Sequence, residues 1–383
     1  MKKNNYFFVP PALLLLAACS GKYKAPPSVP SIAMPTGAAL KPFDSSKPGL
    51  ARPSTITMFN GKAYVALQNY DASYTVRGPG LLGVLDPVTG AISTIDLAGS
   101  TEKACLFPFA IRADAGKLYV NCTGDVFGSG DGAAIVEVDP AAGAVTRTVA
   151  APAGVGPAGL AITASKIWFA DAGSAHVYAL DRATFAITSG PLSIPCAPTG
   201  TGPGQVPWVT VSDVIVVQGD LYAACSNSNG GVLSRLDATT GAVKAQVDAG
   251  PIAAAFTETG DGRIAILSGA DNKLRLVTIG ASALTGVAAY TYGSATSVLQ
   301  DVHARDNFLF TAASGSNTVQ KLDLTKTGAS MLVGEANVGT SASPYAIVPL
   351  DDDQALIANQ GTNTVVSVSA DCTGGKLCWT APQ

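Results

Sequence analysis

The sequence predicts an all-β fold, a seven-bladed β-propeller of four-stranded antiparallel blades. Three observations predict it. The chain is 47% hydrophobic, only 13% charged and holds 41 glycines in 383 residues, which suits many short apolar strands joined by Gly-rich turns. A phrase recurs along it, opened by Pro53, Pro108, Pro157, Pro207, Pro251 and Pro344 at spacings of 55, 49, 50, 44 and 93 residues. The last interval holds two units, with Val298 where a proline is missing, so seven units are counted.

Each unit reads the same way. An apolar strand comes first, then a turn, then an apolar-aromatic strand ending in small or polar residues, as in PFAIRADAGKLYVNC and PAGLAITASKIWFAD. A third strand ends in Asp before a turn: GVLDPVTGAI, VEVDPAAGAV, SRLDATTGAV. There the Asp carboxylate can accept hydrogen bonds from the turn backbone and the Gly supplies a positive φ. A fourth strand of small and β-branched residues completes the unit. Four strands in 44 to 55 residues is the period of a propeller blade. A ring is expected rather than an open stack, because an open stack would leave an unpaired sheet edge at each end.

Ahead of the repeats, Lys2 and Lys3 precede the apolar run Tyr6–Ala17, which is too short for a spanning helix. The run ends in LAACS, Leu16 to Ser20, which resembles the lipobox of bacterial lipoproteins. The resemblance implies that residues 1–18 are a signal peptide. It also implies that Cys19 becomes the acylated (palmitate-bearing) first residue. Ser20 stands where retained lipoproteins carry Asp, which implies an extracytoplasmic, membrane-anchored protein on the outer membrane or surface of a bacterium. Residues 19–50 carry prolines at 26, 27, 30, 35, 42 and 48 and read as a tether. The propeller is then residues 51–383. Net charge is −3, or about −5 once Lys2 and Lys3 are removed. No basic stripe is present, so nucleic acid is not an expected partner. A monomer is expected, with a protein or envelope partner on the loop face.

The phrases resemble the YVTN, NHL and SMP-30 group of seven-bladed propellers, and KIWFADAGSAHVYALD is similar to a streptogramin-lyase repeat. The likeness runs from Arg52 onward and implies a fold that hosts many functions.

Six cysteines remain besides Cys19, and six allow fifteen pairings. Cys105 and Cys196 precede two blades whose second strands end in Cys122 and Cys225, while Cys372 and Cys378 flank TGGKL. The repeat thus selects 105–122, 196–225 and 372–378, bonds that persist in an oxidising compartment.

The loop face gathers amides and acids, among them Asn69, Asp71, Asn121, Asp171, Asn317 and Asn363. Such oxygens suit calcium, which takes six to eight. Asp213 and Asp301 occupy matching places at the start of inner strands, so both are expected to face the central channel as candidate metal ligands. His303 follows two residues after Asp301, on the same face, as a candidate base. In SMP-30-like lactonases the channel holds a catalytic calcium, and streptogramin lyases use histidine with a metal. This chain has no Glu at the place the lactonase site requires. Two functions are therefore expected in order: a lipid-anchored binding or scaffold module, then a calcium-dependent lactonase or lyase.

Overall fold

A computed structural model describes residues 31–99, 101, 103–125, 130–196, 210–293, 298–371 and 378–380. It is a seven-bladed propeller. Six blades are sheets of four sequential antiparallel strands, spanning residues 53–96, 108–150, 157–193, 210–248, 253–291 and 299–337. Blade 7 has the strands Pro344–Pro349, Gln354–Asn359 and Thr364–Asp371. Inner strands pack on their neighbours around the ring, and blade 1 meets blade 7.

Burial follows strand rank. The second strands are nearly continuous core, as in Lys117–Cys122 and Asp220–Asn227, whereas outer strands such as Ala144–Ala150 alternate exposed and half-buried residues. Middle strands are covered on both faces by adjacent blades and so read as unbroken apolar runs. The polar, β-branched outer edges are wet.

The Asp-terminated turns form as the sequence implies. Asp86 Oδ1 accepts from the backbone N–H of Val88 and Thr89 at 2.9 and 3.0 Å. Asp237 Oδ1 does the same for Thr239 and Thr240 at 3.0 and 2.8 Å. Gly90 and Gly241 take φ of 73° and 76°, which a side chain would strain. Backbone N–H donors hold the Asp86 carboxyl below its usual range, and the Lys244 ammonium does so first for Asp237.

All seven inner strands slip register by a bulge just after they begin, between Pro53 and Thr55, Pro108 and Ala110, Pro157 and Leu160, Val211 and Val214, Ala253 and Ala255, Leu299 and Asp301, and Pro344 and Ala346. This revises the repeat openings in two blades. Pairing starts at Ala253 and Leu299 rather than Pro251 and Val298, and Pro207 lies outside the described residues.

The tether expected over residues 19–50 also needs correction from residue 31 on. Strand β1 (Ser31–Ala33) pairs antiparallel with Thr364–Val366. A short C-terminal strand, Cys378–Thr380, pairs with Ser369–Asp371 further along the same edge. The two chain ends therefore share the outer edge of blade 7. Ile32, Met34 and Leu40 enter a core cluster with Val65 and Leu67 of blade 1 and Leu356 and Val365 of blade 7. Residues 1–30, and with them Cys19 and the signal peptide, lie outside the described residues.

Cys105 is bonded to Cys122 and Cys196 to Cys225, with Cα–Cα separations of 5.3 and 4.9 Å. Each ties a blade entry to the end of a second strand. The 372–378 pairing includes Cys372, outside the described residues.

Candidate functional site: the channel and its mouth

The shared bulge puts Asp213 and Asp301 at equivalent positions, each two residues past the last paired residue before the bulge, Val211 and Leu299. Each carboxylate is occupied. Asp213 Oδ1 accepts from Val214 N at 2.8 Å and its Oδ2 from Arg112 Nη2 at 2.9 Å. Asp301 Oδ1 accepts from Val302 N at 2.9 Å, and its Oδ2 from Ile347 N of the next blade at 3.0 Å, with His303 Nε2 3.5 Å away. Arg112 comes from blade 2, so its pair with Asp213 spans blade 3. Gly159 permits this: it holds the same bulge position there, and a Cβ on it would stand 1.9 Å from Asp213 Oδ1.

Burial pushes the Asp213 carboxyl above its ordinary range, with Arg112 opposing and Asp301 adding to the rise. Burial acts on Asp301 too, but His303 and the two backbone N–H donors outweigh it, and the net shift is downward. Two matched carboxylates are thus driven apart by their partners.

The donor set does not fit calcium. The ion takes six to eight oxygens, yet the oxygens here are held by an Arg, a His and backbone N–H groups. Among the described residues no three His, Cys, Asp or Glu side chains gather as metal ligands. The loop-face amides are spent likewise on backbone donors, two of them between blades and Asn121 within blade 2. Asn317 Oδ1 accepts from Ser343 N at 2.8 Å, Asn363 Oδ1 from Arg52 N at 2.9 Å, and Asn121 Oδ1 from Ala110 N at 2.6 Å. His176 sits apart from the channel, its Nδ1 2.8 Å from Ser174 Oγ.

The Asp301 shift has a testable sign. A lowered carboxylate contributes stability above its unfolded pKa of about 3.9 and loses it as pH falls through the folded value. Asp301→Asn is therefore expected to lose less stability than wild type on acidification from pH 6 to 3, by a slope of about one proton. Urea melts across that range check it; parallel curves would refute it. The raised Asp213 has the opposite sign, its contribution falling as pH rises through its folded pKa.

Above this cluster the loop face opens on a cavity of ≈ 280 Å³ lined from blades 7, 1, 2 and 3. Its walls are aromatic: Tyr70, Tyr74, Phe107, Phe109 and Tyr345, with Gln68 and Gln360 among the polar groups. Phe109 and Tyr345 each follow the proline that opens an inner strand, and Gln68 and Gln360 each follow a second strand. Tyr74 stacks on Tyr70 at 5.3 Å and Tyr70 on Phe107 at 5.1 Å, while Arg52 lies 5.3 Å over Tyr70. The Asp71–Arg77 ion pair and bridges from Leu50 to Tyr70 and Tyr70 to Val76 hold this loop. Asn69 Nδ2 anchors it from below through Leu40 O at 2.7 Å. Burial raises the Tyr345 phenol to about 12, with Tyr74 and Asp301 adding to the rise, so this ring links mouth and channel.

The sequence marks Asn69 and Asp71, on either side of Tyr70, as loop-face residues, but neither the cavity nor Arg112 is read from it. Arg112 had a signal, since it stands four residues past Pro108 as His303 stands four past Leu299.

Fold and site together define a seven-bladed propeller with an aromatic-mouthed channel. Solved structures of the same fold include virginiamycin B lyase from Staphylococcus aureus, with TM-score 0.61, 14% identity, and 84% of this chain and 98% of that one covered. The Cps50 (Swd1) propeller domain from Myceliophteria thermophila gives TM-score 0.62 at 12% identity, covering 84% and 98%. Hydrazine synthase from Kuenenia stuttgartiensis gives 0.61 at 14%, covering 84% and 96%. At such identities the likeness is one of fold alone. No protein-family model matches the chain, and no curated protein matches its sequence.

Proposed function

We propose that the protein is a lipid-anchored, extracytoplasmic binding module, monomeric and of the YVTN/NHL/SMP-30 kind, that takes its ligand on the loop face. The observation that carries this reading is the aromatic cavity at the channel mouth. Concave, mostly apolar sites with a few convergent polar groups are what ligand pockets consist of, and aromatic side chains dominate contact energies. Two disulfides near the same face and the LAACS motif around Cys19 support placement outside the cytoplasm. A lactonase or lyase in the channel is the second reading. It draws on the opposed shifts of Asp213 and Asp301 beside His303, but a calcium-dependent form lacks the ligands.

Two readouts test the proposal. Cys19→Ala is expected to abolish palmitate labelling and move the protein from the membrane to the soluble fraction; retention with label would refute the anchor. Envelope polysaccharide, lipid and protein pools, each added to the body 20–383, are expected to slow amide exchange around Tyr70 with at least one pool. No protection by any pool would overturn the binding reading.

A further inference from the structure

The cavity also carries information about the chemistry of its occupant. We infer that it binds a neutral sugar ring, a pyranose or a disaccharide of them, stacked on Tyr74 and Phe107 and hydrogen-bonded by Gln68 and Gln360. The inference rests on the binding reading above and narrows its ligand.

Three features point to this class. First, among the described residues no charged side chain lines the cavity. Arg52 lies over the Tyr70 ring, with Nη1 directed at Gln360 O, 3.5 Å away. An ionic ligand would meet no counter-charge in this wall, and burying an unpaired charge is strongly unfavourable. Second, the polar groups come as paired donors and acceptors. Gln360 Nε2 donates to Gln68 Oε1 at 3.2 Å, and among the described residues nothing accepts from Gln68 Nε2. Gln68 is only 1% exposed, so a buried amide faces the cavity with donor capacity to spare. A hydroxyl both donates and accepts, and a pair of side-chain amides serves both roles. Third, the wall offers aromatic rings on a rigid support. The ring C–H groups of a pyranose are weakly positive and meet the negative face of an aromatic ring.

The size agrees. At ≈ 280 Å³ the cavity lies just below the usual range of ligand sites, roughly 300–1,000 Å³, too small for a long chain to be enclosed. The backbone agrees as well. Tyr74 holds φ of 59°, a left-handed conformation that bulky residues avoid and that tends to persist where function requires it. Phe107 is also left-handed at 55°, but Arg52, Ile252 and Ser343 share that geometry at their blade entries, so only the Tyr74 strain is particular to the cavity. Tyr74 is 53% exposed, a ring presented to solvent rather than to core.

The test is calorimetric titration of the body 20–383 with methyl glucoside, cellobiose, N,N′-diacetylchitobiose, glucuronate and indole. At least one of the neutral sugars is expected to bind with a Kd below about 1 mM, a reasonable floor for a small ligand. Tyr74→Ala and Gln68→Ala are each expected to weaken it at least tenfold, with Tyr74→Phe near wild type. Tyr74 is exposed, so its variants keep the fold, which a melt confirms. Binding of glucuronate or indole in preference to every neutral sugar would overturn the inference. So would saturable sugar binding that both variants leave unchanged. Protection of the loop face by a lipid or protein pool without sugar binding overturns the sugar assignment and leaves the binding module standing. No protection by any pool overturns both.

Discussion

A body that starts at residue 41 instead of residue 20 is expected to melt far below the longer form. Residues 31–40 look dispensable by composition, yet they close the ring. Ile32, Met34 and Leu40 are 7%, 3% and 0% exposed, and burying such a side chain contributes about 1.5–3 kcal/mol each. Removing all three costs on the order of 5 kcal/mol. The shorter form also strips the Asn69 amide of one of its two acceptors, Leu40 O, leaving Pro79 O at 3.2 Å, and one lost hydrogen bond adds about 0.5–1.5 kcal/mol. A domain has only about 5–15 kcal/mol in hand. The expected fall in Tm is about 10–20 °C at roughly 2–4 °C per kcal/mol. Leu40→Ala alone should cost about 2–5 kcal/mol. A truncated body melting within about two or three degrees, roughly the effect of one surface change, would mean that the β1 pairing contributes nothing to closure. Because Asn69 precedes Tyr70, and the lost Thr36 bridges to Leu50, which in turn bridges to Tyr70, the truncation should also loosen the cavity. The segment that follows the proposed lipid anchor would then support the proposed binding face directly.

The second large effect is expected from the Cys105–Cys122 bond. Both residues are 0% exposed, in a cluster with Tyr64, Leu97, Leu118 and Val136. The paired substitution of both to Ser avoids a stray thiol and should cost about 2–4 kcal/mol from the lost cross-link. Two buried hydroxyls make that a lower bound. Tm is expected to drop by about 5–10 °C. Phe107 lies between the two cysteines, its carbonyl accepting from Thr123 N at 3.0 Å and Leu106 O accepting from Gly124 N at 3.0 Å. Loosening that entry should therefore weaken ligand binding as well as the fold. The Cys196–Cys225 bond has one half-buried partner, Cys196, and its loss should be milder. Equal melting of wild type and the double variant would refute the account, as would a larger loss at 196–225. Denatured, unreduced body is expected to show no free thiol.

These expectations separate what is local in the chain from what is not. The blade period was legible because each strand carries its own signal: apolar second strands, Asp–x–x–Thr–Gly turns, β-branched outer strands. Those signals come from backbone geometry and from burial on both faces, which repeat with the blade. Register allowed more. Asp213 and Asp301 match in the repeat, and the bulge that makes them equivalent recurs in every blade. The cysteines at equivalent strand ends followed the same logic.

What escaped the sequence was whatever depends on residues brought together by ring closure. Residues 31–50 are proline-rich and hold few large apolar side chains, so composition alone argues for a tether. Their core exists only where blade 7 meets blade 1, with Val65 of one and Leu356 of the other in a single cluster with Leu40 and its neighbours. The calcium expectation failed its donor test for a related reason. Carboxylates that look free in a strand are met by Arg112 from two blades away and by the Ile347 N–H from the next. The cavity is the clearest case. Its aromatic walls come from positions 70, 107 and 345, too far apart in the chain for any periodicity to join them. The sequence by itself determined the blades, their turns and their number. Only the closed ring decided where the chain ends lie and what faces the channel, because those contacts are made between blades rather than within them.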